Sequence, residues 1–213
     1  MRESRLPSSA TRSVAAIRVS VGVCVALIVG YAYIEGFGHG RVNPFDYFGY
    51  FTNLTSLLTG GILIATGIRA LRGLPASTRL ATARAAATAC MVVVAVIYNG
   101  LVPGTASAPP WVSAALHVVL PCYAVLDWLL VGDRQALPWR RIWVVLPYPS
   151  LWLSVVLVRG ATDGWVPYGF LLPEHGAPSL ALHLGALILV LLAAGTAVWG
   201  ASRFPGASGA TTR

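Results

Sequence analysis

NPFDYFGYFTNLTSLLTGG, Asn43 to Gly61, is the stretch from which the rest of the chain is best read. It opens on a turn at Pro44 and gathers aromatic rings at Phe45, Tyr47, Phe48, Tyr50 and Phe51. It then runs into an apolar segment carrying Thr52, Asn53, Thr55 and Ser56. A hydroxyl or amide placed in hydrocarbon costs a few kcal/mol, on the order of 2 or more, unless it finds a partner. These polar side chains must therefore face other helices or a wet pocket. Thr52, Thr55 and Ser56 share one helix face through their i, i+3, i+4 spacing. The stretch predicts one wall of an active site near a membrane surface.

Composition supports that reading outside the stretch. Of 213 residues, 56% are hydrophobic and only 10% charged, mean hydropathy is +0.72, and apolar runs of about twenty residues recur. The pattern predicts an all-α, polytopic membrane protein with six transmembrane helices. They span residues 14–34, 47–68, 85–102, 111–131, 142–158 and 180–199, within a membrane domain of residues 13–200. Residues 1–12 are expected to be a disordered tail and 201–213 a flexible one. The first run is long enough to cross the bilayer, longer than the core of a cleaved signal sequence, so it reads as a retained helix. Pro147 and Pro149 predict a kink in the fifth helix. No internal repeat is visible.

The net charge of +8 comes from arginine, since the chain has no lysine. Thirteen of the fifteen arginines, Arg18 among them, fall on the side of the termini, and only Arg41 and Arg159 on the other. That bias predicts both termini in the cytoplasm and accounts for the basic balance without nucleic acid. Lysine avoidance with abundant Ala, Arg, Gly and Val suggests a GC-rich genome and a bacterial inner (cytoplasmic) membrane. Cys24, Cys90 and Cys122 lie in apolar segments at unrelated spacings and support neither a disulfide framework nor a metal site.

Orientation assigns depth. Thr52 falls about 7 Å below the outer start of the second helix and His117 about 9 Å into the fourth, at 1.5 Å per residue. Tyr98, Asn99, Thr55, Ser56, His183 and Arg159 lie toward the same side. A membrane threonine commonly bonds its own i−4 carbonyl, whereas an ionisable group inside a membrane helix points to function. Asp127 is expected to pair with Arg134 or to cap backbone. Asn53-Leu54-Thr55 matches a glycosylation sequon, but lies within a helix.

The runs YFGYFTNLTSLL (Tyr47 to Leu58), LHVVLPCYAVLDWLL (Leu116 to Leu130), LPYPSLWLSVVLVRG (Leu146 to Gly160) and GWVPYGFLLPEHG (Gly164 to Gly176) resemble the bacterial six-helix Pr6Pr membrane proteins. That group is similar to the FAR-17a and androgen-induced gene 1 family of intramembrane threonine hydrolases. The resemblance implies cleavage of fatty acid esters of hydroxy fatty acids, with Thr52 as nucleophile and His117 as base. It departs from the family pattern where Val166-Pro167-Tyr168-Gly169-Phe170-Leu171 stands in place of Tyr-Pro-Tyr-Pro-Phe-Leu.

The chemistry is coherent, because a threonine hydroxyl needs a base and neutral imidazole suits that task. Asn53, Thr55, Ser56, Tyr98, Asn99 and Arg159 are the candidates for binding substrate or the oxyanion. The expected partner is a membrane lipid, with no cofactor, metal or protein partner. Two other classes stay open. One is a haem-binding electron-transfer protein using His117 and His183; the other is a non-catalytic transporter or binding protein.

Overall fold

Six helical segments of the computed structural model are long and apolar enough to cross a membrane. Residues 9–104 and 108–206 are described. Helix α1 (Ser9–Phe37) leads through a turn into the short α2 (Pro44–Gly49), then α3 (Phe51–Leu71) and α4 (Thr78–Leu101). The fourth crossing is composite, with α5 (Pro110–Ala114), a π-helical turn (Ala115–Val119) and α6 (Leu120–Leu130). The fifth joins a 3-10 turn (Trp139–Val145) to α7 (Pro147–Thr162). Two 3-10 turns (Gly169–Leu171 and Pro173–His175) then precede α8 (Gly176–Ala201).

Several boundaries differ from expectation for local reasons. Residues 9–12, assigned to the tail, already belong to α1, while residues 1–8 lie outside those described. Helix α4 starts seven residues early, because the Ser77 hydroxyl accepts from the Leu80 N–H and caps the first turn. The expected continuous second helix breaks at Tyr50, whose ψ of 130° is extended. Gly49 lies against the Trp165 ring where a Cβ would collide, and its carbonyl accepts from the Trp152 indole at 2.8 Å. The proline signal in the fifth crossing marks a junction between 3-10 and α geometry at Leu146.

Helix α4 is the central element and packs on α3, α6 and α8. Its small residues Ala85, Ala89 and Cys90 and the fully buried Met91 permit that close packing. Helices α1 and α3 form an intimate pair. A Cβ on Gly22 would stand 2.5 Å from the Gly60 carbonyl oxygen, so only glycine allows the backbones to approach this closely.

The end of the bundle near the termini is held by ions. Arg18, 1% exposed, donates to Asp127 at 2.7 and 3.2 Å and also to Asp133. Arg84, 4% exposed, donates to Asp133 at 2.6 and 3.2 Å and lies 3.7 Å from Asp127. Burial would by itself raise the Asp133 pKa, but the two guanidiniums hold its carboxyl well below the ordinary value.

The expected Asp127–Arg134 pair is therefore replaced by one with Arg18. Arg134 instead donates to the carbonyls of Val131 and Ala201 and lies over the Trp128 ring. The first residues of the expected C-terminal tail are docked as well. Ser202 accepts from the Leu137 N–H, and Arg203 donates to the carbonyls of Trp199 and Leu137, satisfying groups at the end of α8. Residues 207–213 lie outside those described.

Candidate functional site

At the opposite end of the bundle, the break at Tyr50 changes what Thr52 can do. Elsewhere, Thr66, Thr82, Thr88 and Thr162 each donate to the carbonyl four residues back. Thr52 sits in the first turn of α3, and the residue four before it, Phe48, lies across the break. Its hydroxyl has no such carbonyl to bond, and the residue lines a cavity together with Tyr168. The N–H groups of Phe51 and Thr52 are two donors that an α-helix leaves without an internal acceptor at its start. Tyr50, which precedes them, makes no side-chain cap. Burial pushes the Tyr168 phenol up to about 12, so it remains a proton donor at neutral pH.

His117 is fixed by the composite fourth crossing. Pro121 has no N–H to give the carbonyl of His117, four residues earlier, and the chain locally adopts a π turn in which the Leu120 N–H bonds to Ala115. Asn99 takes up the freed carbonyl, donating from Nδ2 at 3.3 Å. On the ring, Nδ1 lies 2.9 Å from the Ser113 carbonyl and 3.3 Å from its hydroxyl. A carbonyl can only accept, so Nδ1 carries the proton and Nε2 presents a lone pair. The Tyr98 ring stacks on the imidazole, with centroids 3.6 Å apart and planes 16° from parallel, and its hydroxyl lies 2.6 Å from Ser113 Oγ.

Thr52 (7% exposed) and His117 (8%) line one polar cavity of about 170 Å³, with Tyr47, Asn53, Ser113 and Tyr168 among its other walls. No hydrogen bond joins the two among the described residues. What the two residues share is the wall of one cavity. A second, larger cavity of about 250 Å³ adjoins it, and Thr52, Tyr98, Val102 and Tyr168 belong to both.

The remaining expected site residues divide. Asn53 and Tyr98 line the polar cavity, but the Asn53 amide is already engaged with the Tyr47 carbonyl at 2.7 Å. Thr55 is turned to the Tyr148 hydroxyl at 2.8 Å, and Ser56 is fully buried with an unpartnered hydroxyl; neither lines a cavity described above. Asn99 acts on the His117 backbone from outside the cavity. Arg159 lies at the rim, donating to Asp46 at 2.7 Å and Asp163 at 2.9 Å with its guanidinium over Trp165, and does not reach either cavity.

His183 repeats the His117 pattern, with Nδ1 2.8 Å from the Ser179 carbonyl, but stacks on Phe170 and does not line the polar cavity with His117. Among the described residues, no group of three or more His, Cys, Asp or Glu is arranged to hold a metal ion. Two contributors had no role in the sequence reading. Ser113 was discoverable as the residue one turn before His117, whereas Tyr168 depends on a loop folding back over α3.

No protein-family description, curated protein or solved structure gives a significant match to the chain.

Proposed function

We propose that the chain is an intramembrane lipid-ester hydrolase in which Thr52 attacks the ester carbonyl and His117 Nε2 accepts its proton. The observation carrying this reading is the position of Thr52. Unlike Thr66, Thr82, Thr88 and Thr162, it does not donate to the carbonyl one turn back, and unlike Thr55 and Thr59 of the same helix it lines a polar cavity with an imidazole whose tautomer leaves Nε2 available.

In the first step the Thr52 oxygen bonds to the carbonyl carbon while its proton passes to His117. Collapse of the tetrahedral intermediate expels the alcohol, which takes that proton. Water, activated by the same imidazole, then releases the acid and restores Thr52. The negative oxygen of the intermediate would be met by the N–H groups at the start of α3 together with the Tyr168 hydroxyl. A preorganised donor of this kind contributes about 3 kcal/mol.

Fatty acid esters of hydroxy fatty acids are the proposed substrates, from the resemblance of the helix-two and helix-four runs to the Pr6Pr group. The arginine bias favours cytoplasmic termini, and with them a cavity toward the outer face, while the lysine-free composition favours a bacterial inner membrane. The test is turnover of a panel of lipid esters by protein reconstituted in vesicles. Thr52→Ala is expected to lower turnover by on the order of 10⁴ or more, while Thr52→Ser retains measurable activity. Equal turnover by wild type and Thr52→Ala would refute the assignment.

A further inference from the structure

The second cavity lies at membrane depth and has an unusual boundary. Helix α7 is held on one flank by aromatic and polar contacts. Tyr148 stacks on Phe51 with centroids 5.4 Å apart and bonds Thr55, Trp152 reaches the Gly49 carbonyl, and Arg159 reaches Asp46. Val156 is its only buried residue. Its other flank stands away from α4 and α8, which pack on each other. The space between is walled by Leu153 and Leu157 of α7, Val93 and Ile97 of α4, and Leu187 and Leu191 of α8. Its mouth opens sideways, where Ser154 and Ile188 are exposed, Ile188 at 49%. Along α7 it extends from Leu146 to Leu157, about 16 Å at 1.5 Å per residue.

The geometry points to this cleft as the seat of a single acyl chain that enters from the bilayer between α7 and α8. The occupant follows from three observations together. The mouth lies among membrane-spanning helices, where the surrounding medium is hydrocarbon. The walls are almost wholly apolar, and Ser154 donates its hydroxyl to the Ser150 carbonyl of its own helix. The cleft meets the polar cavity at Thr52, Tyr98, Val102 and Tyr168, which line both. A cleft that is apolar along its length and polar at one end fits an amphiphile, with the chain between the helices and the carboxyl or ester group at Thr52. The inference deepens the hydrolase reading by placing the acyl part of the substrate, and chain binding itself does not depend on Thr52 chemistry.

The test is photolabelling of the full-length protein in nanodiscs with a fatty acid carrying a mid-chain diazirine, followed by peptide mapping. Label is expected on the peptides containing Leu153, Leu157 and Ile97, and unlabelled palmitate is expected to compete it away. Ile188→Trp, which fills the mouth, should reduce that label by on the order of tenfold, about 1.4 kcal/mol of binding. Leu189→Trp, beside it but outside the cleft and 71% exposed, should leave it unchanged. Thr52→Ala should also keep the label, so loss of turnover without loss of labelling separates the chemistry from the chain site. Label spread evenly over exposed positions such as Leu151 and Leu182, or label that palmitate does not compete, would overturn the inference, and the competition arm needs no variant to fold.

Discussion

Replacing Asp127 with alanine strips the ionic cluster of one of its two carboxylates and leaves Arg18 and Arg84 to share Asp133. Two charge-assisted hydrogen bonds to Arg18, at 2.7 and 3.2 Å, disappear, as does the 3.7 Å approach to Arg84. Both arginines are no more than 4% exposed, so water cannot take the carboxylate's place. Breaking one side of a buried pair in this way costs about 3–5 kcal/mol, mostly the penalty of an uncompensated charge. Removing both partners is much less harmful. Arg18→Met combined with Asp127→Leu leaves Arg84 matched to Asp133 and should recover most of the loss. The assay is SDS-driven unfolding in mixed micelles followed by tryptophan emission, to which Trp128, beneath the Arg84 and Arg134 guanidiniums, contributes a local signal. A cost below about 1 kcal/mol for Asp127→Ala, the range of exposed pairs, or a double variant less stable than the single one, would refute the reasoning.

Three further outcomes follow from particular contacts. Asp133 has a depressed pKa in the folded protein, so its contribution to stability is complete above the ordinary carboxylate value of 3.8 and is lost as pH falls through the lower folded value. Unfolding free energy should therefore decline below about pH 4, and Asp133→Asn should flatten that acid limb. Gly22→Leu should cost about 3 kcal/mol, the upper end for overpacking, because the obstructing atom is a backbone oxygen of Gly60; the same SDS titration reads it. Tyr168→Phe removes a donor beside Thr52 and should lower kcat on lipid esters by about 10² with little change in KM, the pattern of an interaction made mainly in the transition state.

The six crossings were legible because hydrophobic length is a local property, and no alternative exists for runs of twenty apolar residues in a chain this poor in charge. Boundaries were less so. The break at Tyr50 depends on Trp152 and Trp165, more than a hundred residues away, and neither can be read from the run around Gly49. Arg18 and Arg84 were counted as topological charges, yet both are buried against Asp127, near the end of the fourth crossing, and Asp133, in the loop after it. Their pairing is tertiary, and only the oddity of Asp127 inside an apolar run hinted at it. At the other end, counting depth brought Thr52 and His117 to one level, and the two do line one cavity. The helix start differs from the one used in that count, since α3 starts at Phe51 and places Thr52 in its first turn. That shift is why the proposed oxyanion donors are backbone N–H groups and not the side chains expected from the sequence. The spacing His117-x-x-x-Pro121 was a usable signal, for a proline four residues on always frees a carbonyl; Tyr168 offered none.

Labelling of membranes with a fluorophosphonate probe, comparing wild type with Thr52→Ala and His117→Ala at matched folded amounts, tests the central claim most directly. Adduct formation on Thr52 in wild type, lost in both variants, is the predicted result, because the hydroxyl reacts only when His117 withdraws its proton. Folded wild type that takes up no probe, or labelling that persists undiminished in Thr52→Ala, would contradict it.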